Sequence, residues 1–365
     1  MSINKRWNKR QLLCQNDIKG QFLANHSVEK SYLYILGMGF DQRMCIGVKH
    51  FIETGLPFVL WKVNYNEGEG SPSHIYQDKS CRNREILDSI TKDIEVREKY
   101  ISFWQGDGRN SRNVAEINAS KMIKASKDEL SKFSDIIFDI SAFPQALYLC
   151  MLNMLLNCCD AQQTIYIIVN ENYMIDKETE PVEIDEFAHE MQGFASPTDD
   201  IDSVRIWYPI LGEINTLVLK RHYDYLVSNS KHIDEICPVV PFPAMDVKRA
   251  DVILKGYRKE LFSDWKIDKK NIIYASETSP IRVCETLYET SMRYKKVLKQ
   301  LGECRFVFSS ITSKLMSMGV FLATHDLKSE GISATLLNVS NKGYKVNKIV
   351  DTEEKDLTCL VLSNA

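Results

Sequence analysis

Two short polar segments of this sequence carry residue types that bind phosphate or nucleotide ligands. The first, residues 37–43, has the sequence Gly-Met-Gly-Phe-Asp-Gln-Arg. Gly37 and Gly39 would let the backbone approach a ligand closely. Arg43 could bind a phosphate through two hydrogen bonds, and Asp41 could bind a ribose hydroxyl or a base edge. A helix starting after this segment would add backbone N–H groups that favour anions.

This segment matches neither of the common phosphate-binding motifs. It lacks the third glycine of the dinucleotide fingerprint, and it lacks the Gly-Lys-Ser/Thr of a Walker A loop. A purely structural alternative therefore stays open. In that alternative Gly37 and Gly39 form only a tight turn from strand to helix, and Asp41 caps the helix.

The second segment, residues 309–314, has the sequence Ser-Ser-Ile-Thr-Ser-Lys. Hydroxyls and a lysine at the start of a helix suit a phosphate, so Ser310, Thr312, Ser313 and Lys314 are candidate ligand-binding residues. The alternative is that Ser310 or Thr312 caps the helix while Lys314 is solvated. The polar turn after residue 140 corresponds to this segment in the first half of the chain, and its Ser141 is a further candidate.

Residues with catalytic potential are few. The seven histidines form no cluster at metal-ligand spacing, and neither H-x-x-x-H nor G-x-S-x-G occurs, so no metal site is predicted and no cofactor can be named. Cys45 follows the first segment at a predicted helix start, which could lower its pKa; the alternative is a buried packing cysteine. Asp139 ends a predicted strand and could serve hydrolysis.

The elements that would position these residues are clearest around residues 133–173. Residues 135–140 are an apolar run typical of a strand buried on both faces. Ser141 is expected to cap the following apolar helix, with Pro144 in its first turn. A second buried strand follows at residues 164–169. This strand-helix-strand pattern predicts a parallel sheet.

The same pattern recurs in the second half of the chain at nearly equal spacing. We therefore predict an α/β fold of two tandem Rossmann-like, doubly wound parallel-sheet units related by a pseudo-two-fold repeat, each with strand order 3-2-1-4-5. The predicted boundaries are a lead-in at 1–30, a first unit at 31–175, an acidic linker or insertion at 176–203, and a second unit at 204–365. In this order the loops after the first and fourth strands flank the ligand-binding switch point.

Some finer predictions concern individual elements. Residues 81–98 are predicted to be a charged amphipathic helix, followed by a strand at 100–104 and a glycine-containing loop at 106–112. Prolines at 238, 241 and 243 predict that the second strand of the second unit lies at a sheet edge. Residues 357–362 are one more strand candidate.

Bulk composition excludes several classes of protein. The net charge of −3 gives no general reason for nucleic-acid binding, and no apolar run approaches the length of a membrane span. The basic N-terminus lacks the apolar core of a signal peptide. The ten cysteines include no C-x-x-C pair and indicate thiols in a reducing cytoplasm. A cytoplasmic location is therefore expected.

The tandem pattern resembles the CARF and SAVED domains of prokaryotic defence sensors. The polar turns and apolar helices at residues 141–146 and 312–319 are similar to the turn-and-helix motif of that group. Its Gly-Thr-Lys turn is matched only in part, by Ser313 and Lys314, and the first half has no lysine there. The resemblance implies a nucleotide or cyclic oligonucleotide ligand and separate protein partner subunits.

Three functions follow from these observations. The leading prediction is a nucleotide- or phosphate-binding sensor or regulatory subunit of an antiphage defence system. The first alternative is an enzyme that hydrolyses or modifies a nucleotide at residues 37–43, using Asp41, Arg43 and Asp139. The second alternative is a non-catalytic scaffold subunit of a multiprotein complex. The sequence does not decide whether the protein is an enzyme.

Overall fold

Two mixed sheets organise the computed structural model of this chain. The structure describes residues 7–68, 71–106, 112–172, 175, 178–196, 203–228, 232–347 and 357–364. One compact unit, called the first unit, comprises Asn4–Glu183 and Lys342–Ala365; the second unit is Ile184–Asn341. Each unit contains one of the large sheets.

The strands and helices alternate along most of the chain. The strands are β1 (Lys9–Cys14), β2 (Tyr32–Gly37), β3 (Phe58–Asn66), β4 (Glu95–Ser102), β5 (Trp104–Gln105), β6 (Arg112–Asn113), β7 (Asp135–Asp139), β8 (Thr164–Asn170), β9 (Thr179–Ile184), β10 (His189–Glu190), β11 (Val204–Leu211), β12 (Glu235–Ile236), β13 (Val239–Pro241), β14 (Ile273–Ala275), β15 (Cys304–Ile311), β16 (Ser333–Asn338), β17 (Asn341–Val346) and β18 (Leu357–Ser363). The helices are α1 (Asn16–Asn25), α2 (Met44–Ile52), α3 (Gln77–Ile90), α4 (Ala115–Ala125), α5 (Lys127–Leu130), α6 (Gln145–Cys158), α7 (Thr216–Val227), α8 (Arg249–Gly256), α9 (Pro280–Val297) and α10 (Lys314–Ser329), with short 3₁₀ helices at Pro72–Tyr76 and Lys269–Asn271 and a π-helical turn at Lys259–Asp264.

The sheet of the first unit has the strand order β1-β18-β8-β7-β2-β3-β4. Five neighbouring strands of this sheet are parallel to one another: β8, β7, β2, β3 and β4. Strand β18 runs antiparallel to both of its neighbours, β1 and β8. Numbered by their place in the unit, the parallel strands have the order 3-2-1-4-5. The predicted order is therefore confirmed, and β2 and β7 flank the switch point.

The sheet of the second unit has the order β10-β16-β15-β11-β13-β14, with β12 also paired to β11. Its parallel strands again follow 3-2-1-4-5, and β10 is antiparallel at the edge. The predicted Rossmann-like, doubly wound α/β class is confirmed. Because unrelated doubly wound sheets share this order, the pseudo-two-fold repeat stays a prediction.

The ends of the chain complete the first sheet. The strand predicted at 357–362 forms as β18, but it inserts between β8 and β1, whereas the sequence had assigned residues 204–365 to the second unit. The predicted lead-in at 1–30 supplies β1 and α1. Within it, Trp7 is buried and its indole N–H donates to the carbonyl oxygen of Leu156 at 3.0 Å. Long-range pairing of this kind leaves no local signal in the sequence.

The helix predicted at 81–98 is wrong at its C-terminal end. Helix α3 ends at Ile90, and residues 95–102 form the edge strand β4. The charged residues of β4 are tolerated because helix α5 supplies a partner for them. Arg97 and Lys99 donate to Glu129 of that helix at 2.5 Å and 2.7 Å. Lys99 also lies 4.2 Å from the ring centroid of Trp61.

The edge position predicted for the proline-rich strand is also wrong. Strand β13 lies between β11 and β14. This position is possible because Pro238 and Pro243 lie outside the strand and Pro241 is its last residue. The acidic segment at 176–203 is described only in part; it contributes β9, which pairs with β17, and β10. Most of the loop predicted at 106–112 lies outside the described residues.

Helix α2 is held by an aromatic core that fixes where its N-terminus lies. Its apolar face is buried, and Phe51 on that face packs edge-on against Phe22 at 4.8 Å and Phe58 at 5.1 Å between ring centroids. Strands β2 and β7 are buried along their whole length, as an apolar strand covered on both faces should be. This packing places the loop between β2 and α2 above the switch point.

Candidate functional site

The candidate site lies at the carboxyl ends of β2 and β7 in the first unit. Residues 37–43 connect β2 to α2, and residues 140–144 connect β7 to α6. The predicted residues Gly37, Gly39, Asp41, Arg43 and Ser141 are thus all at the switch point of one sheet. In sheets of this order the loops of adjacent parallel strands diverge at this point and form the crevice in which ligands bind.

Asp41 and Arg43 form an ion pair within the first loop. The Arg43 side chain donates to Asp41 through Nη2 at 2.7 Å and Nε at 2.9 Å. Its Nη1 lies 3.5 Å from the carbonyl oxygen of Asn170 at the end of β8. The side chain of Arg43 is only 4% exposed, and that of Asp41 is 20% exposed. Arg43 therefore positions Asp41 and does not extend towards the crevice as a phosphate clamp.

The N-terminus of α2 has no backbone donor left for an anion. A helix leaves its first N–H groups without intrahelical partners. Here the N–H of Arg43 donates to Asp41 Oδ1 at 3.0 Å, and that of Met44 to the Asp41 carbonyl at 3.2 Å. The N–H groups of Cys45 and Ile46 donate to turn carbonyls at 3.2 Å and 3.1 Å. The expectation of free N–H groups at this helix is wrong, because three of these four groups donate to turn carbonyls and the fourth donates to the Asp41 carboxylate.

The two glycines of the loop are required by close packing. A Cβ on Gly37 would lie 2.9 Å from the ring of Phe143, and one on Gly39 would lie 2.6 Å from the Tyr65 hydroxyl. Tyr65 in turn donates to the carbonyl oxygen of Ala142 at 3.2 Å. The loop after β2 is thereby joined to the turn after β7 through an aromatic hydroxyl.

Ser141 does not cap the helix that follows it, as the sequence had predicted. Helix α6 begins at Gln145 after Pro144, with no side-chain cap. Ser141 is fully buried, and its hydroxyl accepts from the backbone N–H of Asn170 at 2.9 Å. Its own N–H donates to Asp139 Oδ1 at 3.0 Å. The residue ties the end of β7 to the end of β8.

Asp139 and Cys45 are both part of the packed interior. Asp139 is 1% exposed and accepts from the Tyr34 hydroxyl at 2.7 Å. Burial and the Asp139 carboxylate hold the pKa of Tyr34 well above its usual value. Burial likewise raises the pKa of Cys45 to about 11. The hypothesis of a lowered Cys45 pKa is wrong, and the alternative of a packing cysteine is correct.

Several residues that were not anticipated from the sequence lie on the β3 side of the site and are called its rim: Tyr65, Glu67, Phe103 and Trp104. Glu67 directly follows β3, and its Oε2 accepts from Ser71 Oγ at 2.6 Å. Its Oε1 has no hydrogen-bond partner among the described residues. The indole N–H of Trp104 donates to the Glu67 carbonyl at 2.7 Å, and Phe103 stacks on Tyr65 at 5.7 Å. The sequence offered one signal for this group, because Glu67 is an acidic residue that directly follows β3, the second parallel strand of the unit.

The groups around Tyr65 also act on its ionisation. Burial raises the pKa of Tyr65 well above its usual value, and the charges of Glu67 and Asp41 raise it further, with a smaller contribution from Tyr344. Glu67, Asp41 and Tyr344 are therefore close enough to Tyr65 to influence its ionisation. Strand β17 brings Tyr344 to this region, since its N–H lies 3.4 Å from Ser73 Oγ.

The second predicted segment, in the second unit, uses its hydroxyls internally. Ser310 Oγ lies 2.7 Å from Ser317 Oγ, and Thr312 Oγ1 lies 3.2 Å from Met316 Sδ. Ser313 caps α10 by accepting from the Met316 N–H at 3.4 Å, so the cap is neither Ser310 nor Thr312. Lys314 is the first residue of the helix and is half-buried.

The loops at the switch point of the second unit are in close contact, as Gly37 and Phe143 are in the first unit. A Cβ on Gly212, which follows β11, would lie 2.0 Å from Thr312 Oγ1, so the turns after β11 and β15 are in direct contact. Behind them Arg249 is 5% exposed. It binds Glu213 Oε1 and Glu277 Oε1 at 2.7 Å each and the Gly212 carbonyl at 3.1 Å. This buried ion cluster was not anticipated from the sequence.

The described part of the chain contains neither a metal-ligand cluster nor a membrane-spanning helix. No group of three or more histidine, cysteine, aspartate or glutamate side chains there is arranged to hold a metal ion. Across the same residues, no helix is both long enough and apolar enough to cross a bilayer.

Comparisons with known proteins give only distant likenesses. No protein-family model matches the chain, and no curated protein matches it significantly. Among solved structures, a universal stress protein from Archaeoglobus fulgidus is 13% identical with a TM-score of 0.23, covering 84% of this chain and 94% of that one. An S-adenosylmethionine-dependent methyltransferase from Clostridium acetobutylicum is 11% identical with a TM-score of 0.23, covering 51% of this chain and 61% of its own.

A third structure, the glycopeptide N-methyltransferase MtfA complexed with S-adenosylmethionine, is 11% identical with a TM-score of 0.23, covering 50% of this chain and 63% of its own. The chain thus spans about three fifths of the length of these methyltransferases. The Rossmann-like assignment follows from the strand order of the two sheets.

Proposed function

We propose that the first unit binds a nucleotide-type ligand in the crevice above β2 and β7, and that the chain is a regulatory or sensor subunit. The ligand would contact the loop at Gly39, the carboxylate of Glu67, and the aromatic side chains of Tyr65 and Trp104. Its ribose hydroxyls would donate to the available oxygen of Glu67. Its base would pack against the aromatic rim.

One observation carries the proposal. In a sheet of order 3-2-1-4-5, ligands bind beyond the carboxyl ends of the strands at the switch point. Glu67 stands at that edge with one carboxylate oxygen that lacks a partner among the described residues, beside aromatic rings that are only partly covered. An acidic side chain after the second strand is the group that accepts ribose hydroxyls in this kind of fold.

The second unit supports binding less well. Its turns after β11 and β15 contact each other at Gly212 and Thr312, and the hydroxyls around Ser310 and Ser313 bond within their own helix turn. We therefore propose one ligand per chain, bound by the first unit.

A regulatory role fits the site better than nucleotide hydrolysis. Asp139, the carboxylate predicted for hydrolysis, is buried and accepts from both Tyr34 and the Ser141 N–H. Arg43 is held by Asp41. These groups would need to break buried bonds to reach a substrate. Participation in an antiphage defence system with protein partners, which the resemblance to CARF and SAVED domains implies, is part of this proposal.

Thermal unfolding in the presence of ligands tests the proposal. The panel contains nucleosides, nucleotides and cyclic oligonucleotides, and the proteins are the wild type, Glu67→Gln and Glu53→Gln. Glu53 is a matched control because it is exposed at the opposite end of α2. A ligand at 100 times its dissociation constant should stabilise the wild type by about 2.7 kcal/mol, a shift of a few degrees.

Loss of a hydrogen bond to a charged carboxylate should weaken binding roughly tenfold or more in Glu67→Gln. Glu53→Gln should bind as the wild type does. The absence of any shift with the whole panel would refute ligand binding and favour the scaffold alternative. Turnover of a bound nucleotide by the wild type would favour the enzyme alternative over the regulatory role.

A further inference from the structure

The polarity of the loop between β2 and α2 restricts which nucleotide-type ligands fit. Doubly wound sheets commonly bind a ligand phosphate at the helix N-terminus that follows the first strand. In this chain the corresponding N–H groups, from Arg43 to Ile46, already donate to the Asp41 side chain and to turn carbonyls. One of these groups, the N–H of Arg43, donates to a carboxylate of the chain itself.

The neighbouring charges reinforce this restriction. The Arg43 guanidinium donates to both oxygens of Asp41 and approaches the Asn170 carbonyl, with its side chain 4% exposed. Asp41 is the more exposed member of the pair, at 20%, and Glu67 adds a second carboxylate nearby. A phosphate brought to this loop would meet carboxylate oxygens and no free backbone donor of the α2 N-terminus.

We infer that the site selects a nucleoside whose 5′ substituent is uncharged or positively charged, and discriminates against 5′-phosphorylated nucleotides. This inference rests on the proposed function, because it assumes that the crevice binds a nucleoside moiety. A cationic or hydrogen-bond-donating 5′ group would be stabilised by the Asp41 carboxylate. Each added phosphate would increase the repulsion from Glu67, because the Arg43 guanidinium already offsets the charge of Asp41.

Calorimetric titration with a graded ligand series measures this selectivity. The probes are adenosine, guanosine, cytidine and uridine, their 5′-mono-, di- and triphosphates, and S-adenosylmethionine as a cationic nucleoside. For the base that binds, the dissociation constant should rise at least about tenfold from nucleoside to monophosphate, and again on further phosphorylation. If adenosine binds, S-adenosylmethionine should bind at least as tightly as adenosine.

Substitution of Asp41 makes the charge around this loop less negative. Asp41→Asn retains an oxygen that can accept from the Arg43 N–H but removes the carboxylate charge that faces the guanidinium. The affinity for the monophosphate should increase about tenfold in this variant, while that for the cationic nucleoside falls. The control Asp264→Asn removes an exposed carboxylate of the second unit, which pairs with Lys259, and should change neither affinity.

Two results would overturn the inference. Tighter binding of the 5′-phosphates than of the nucleosides, abolished by Glu67→Gln, would refute the selectivity and leave the proposed function standing. Lys79, whose ammonium lies 5.1 Å from the Tyr76 ring centroid, would then be the first cation to replace with alanine. Absence of binding by every probe would refute the inference together with the proposed function. If Asp41→Asn fails to fold, the wild-type ligand series still measures whether nucleosides bind more tightly than their 5′-phosphates.

Discussion

A buried histidine in the second unit should make the stability of this protein depend strongly on acid pH. His222 on α7 is 2% exposed, and neither ring nitrogen has a hydrogen-bond partner among the described residues. Burial, with a smaller contribution from His189, lowers the pKa of His222 from 6.5 to about 3. Protonating the folded state therefore requires a charge to be placed in an apolar interior.

The sign of the effect follows from proton binding. Between pH 6.5 and about pH 3 the unfolded chain carries a proton on His222 and the folded chain does not. The unfolded state thus binds more protons, so the free energy of unfolding falls as the pH falls through this window. The slope from this one group is about 1.4 kcal/mol per pH unit, or about 2.7 kcal/mol in total between pH 8 and pH 4.5.

Urea unfolding at a series of pH values, with a probe in the second unit, measures this dependence. His222→Leu removes the titration without leaving a bonded partner unsatisfied, so at pH 7 its stability should equal or exceed that of the wild type. Its stability should fall less steeply below pH 6.5. The control His74→Leu removes an exposed histidine of the first unit and should leave the slope unchanged. Parallel loss of stability in the wild type and His222→Leu from pH 6.5 to 4.5 would refute the reasoning.

Two further predictions concern packing in the first unit. Gly47→Ala in α2 should destabilise the protein by about 1–3 kcal/mol, because the new Cβ would lie 2.4 Å from Asp139 Oδ2 and 2.6 Å from the Tyr34 hydroxyl. Gly20→Ala in α1 should instead stabilise it by about 0.5–1 kcal/mol, since nothing lies within 4 Å of that Cβ; equal effects in denaturant titrations would contradict this account. Ser141→Ala should cost about 1–3 kcal/mol, because the buried N–H of Asn170 loses its acceptor. Hydrogen exchange should show the Asn170 amide losing protection in that variant, and unchanged protection would argue against the predicted role.

Much of the fold could be predicted from local pattern. Apolar runs such as residues 135–140 identify strands buried on both faces, and their alternation with helices predicts a parallel sheet of order 3-2-1-4-5. The location of Gly37, Gly39, Asp41, Arg43 and Ser141 at one switch point followed from that order. These inferences succeed because the period of apolar residues and the handedness of strand-helix-strand units are local properties.

What each site residue does was decided by tertiary contacts. Arg43 has the chemistry of a phosphate ligand, yet folding turns it onto Asp41 and buries it. Cys45 follows a loop at a helix start, yet burial raises its pKa to about 11. The same sequence could form an anion site if the Arg43 side chain were exposed. Packing decides that this side chain is buried.

The sequence by itself determined the class of fold, the order of the parallel strands and the loops that meet at the switch point. Only the tertiary structure decided which strands close the first sheet, since β1 and β18 pair across almost the whole length of the chain. It also decided the polarity of the candidate site, through the buried Asp41–Arg43 pair and the available oxygen of Glu67. The reason is physical: residue type sets which interactions a side chain can make, while burial and the arrangement of partners set which of them it makes.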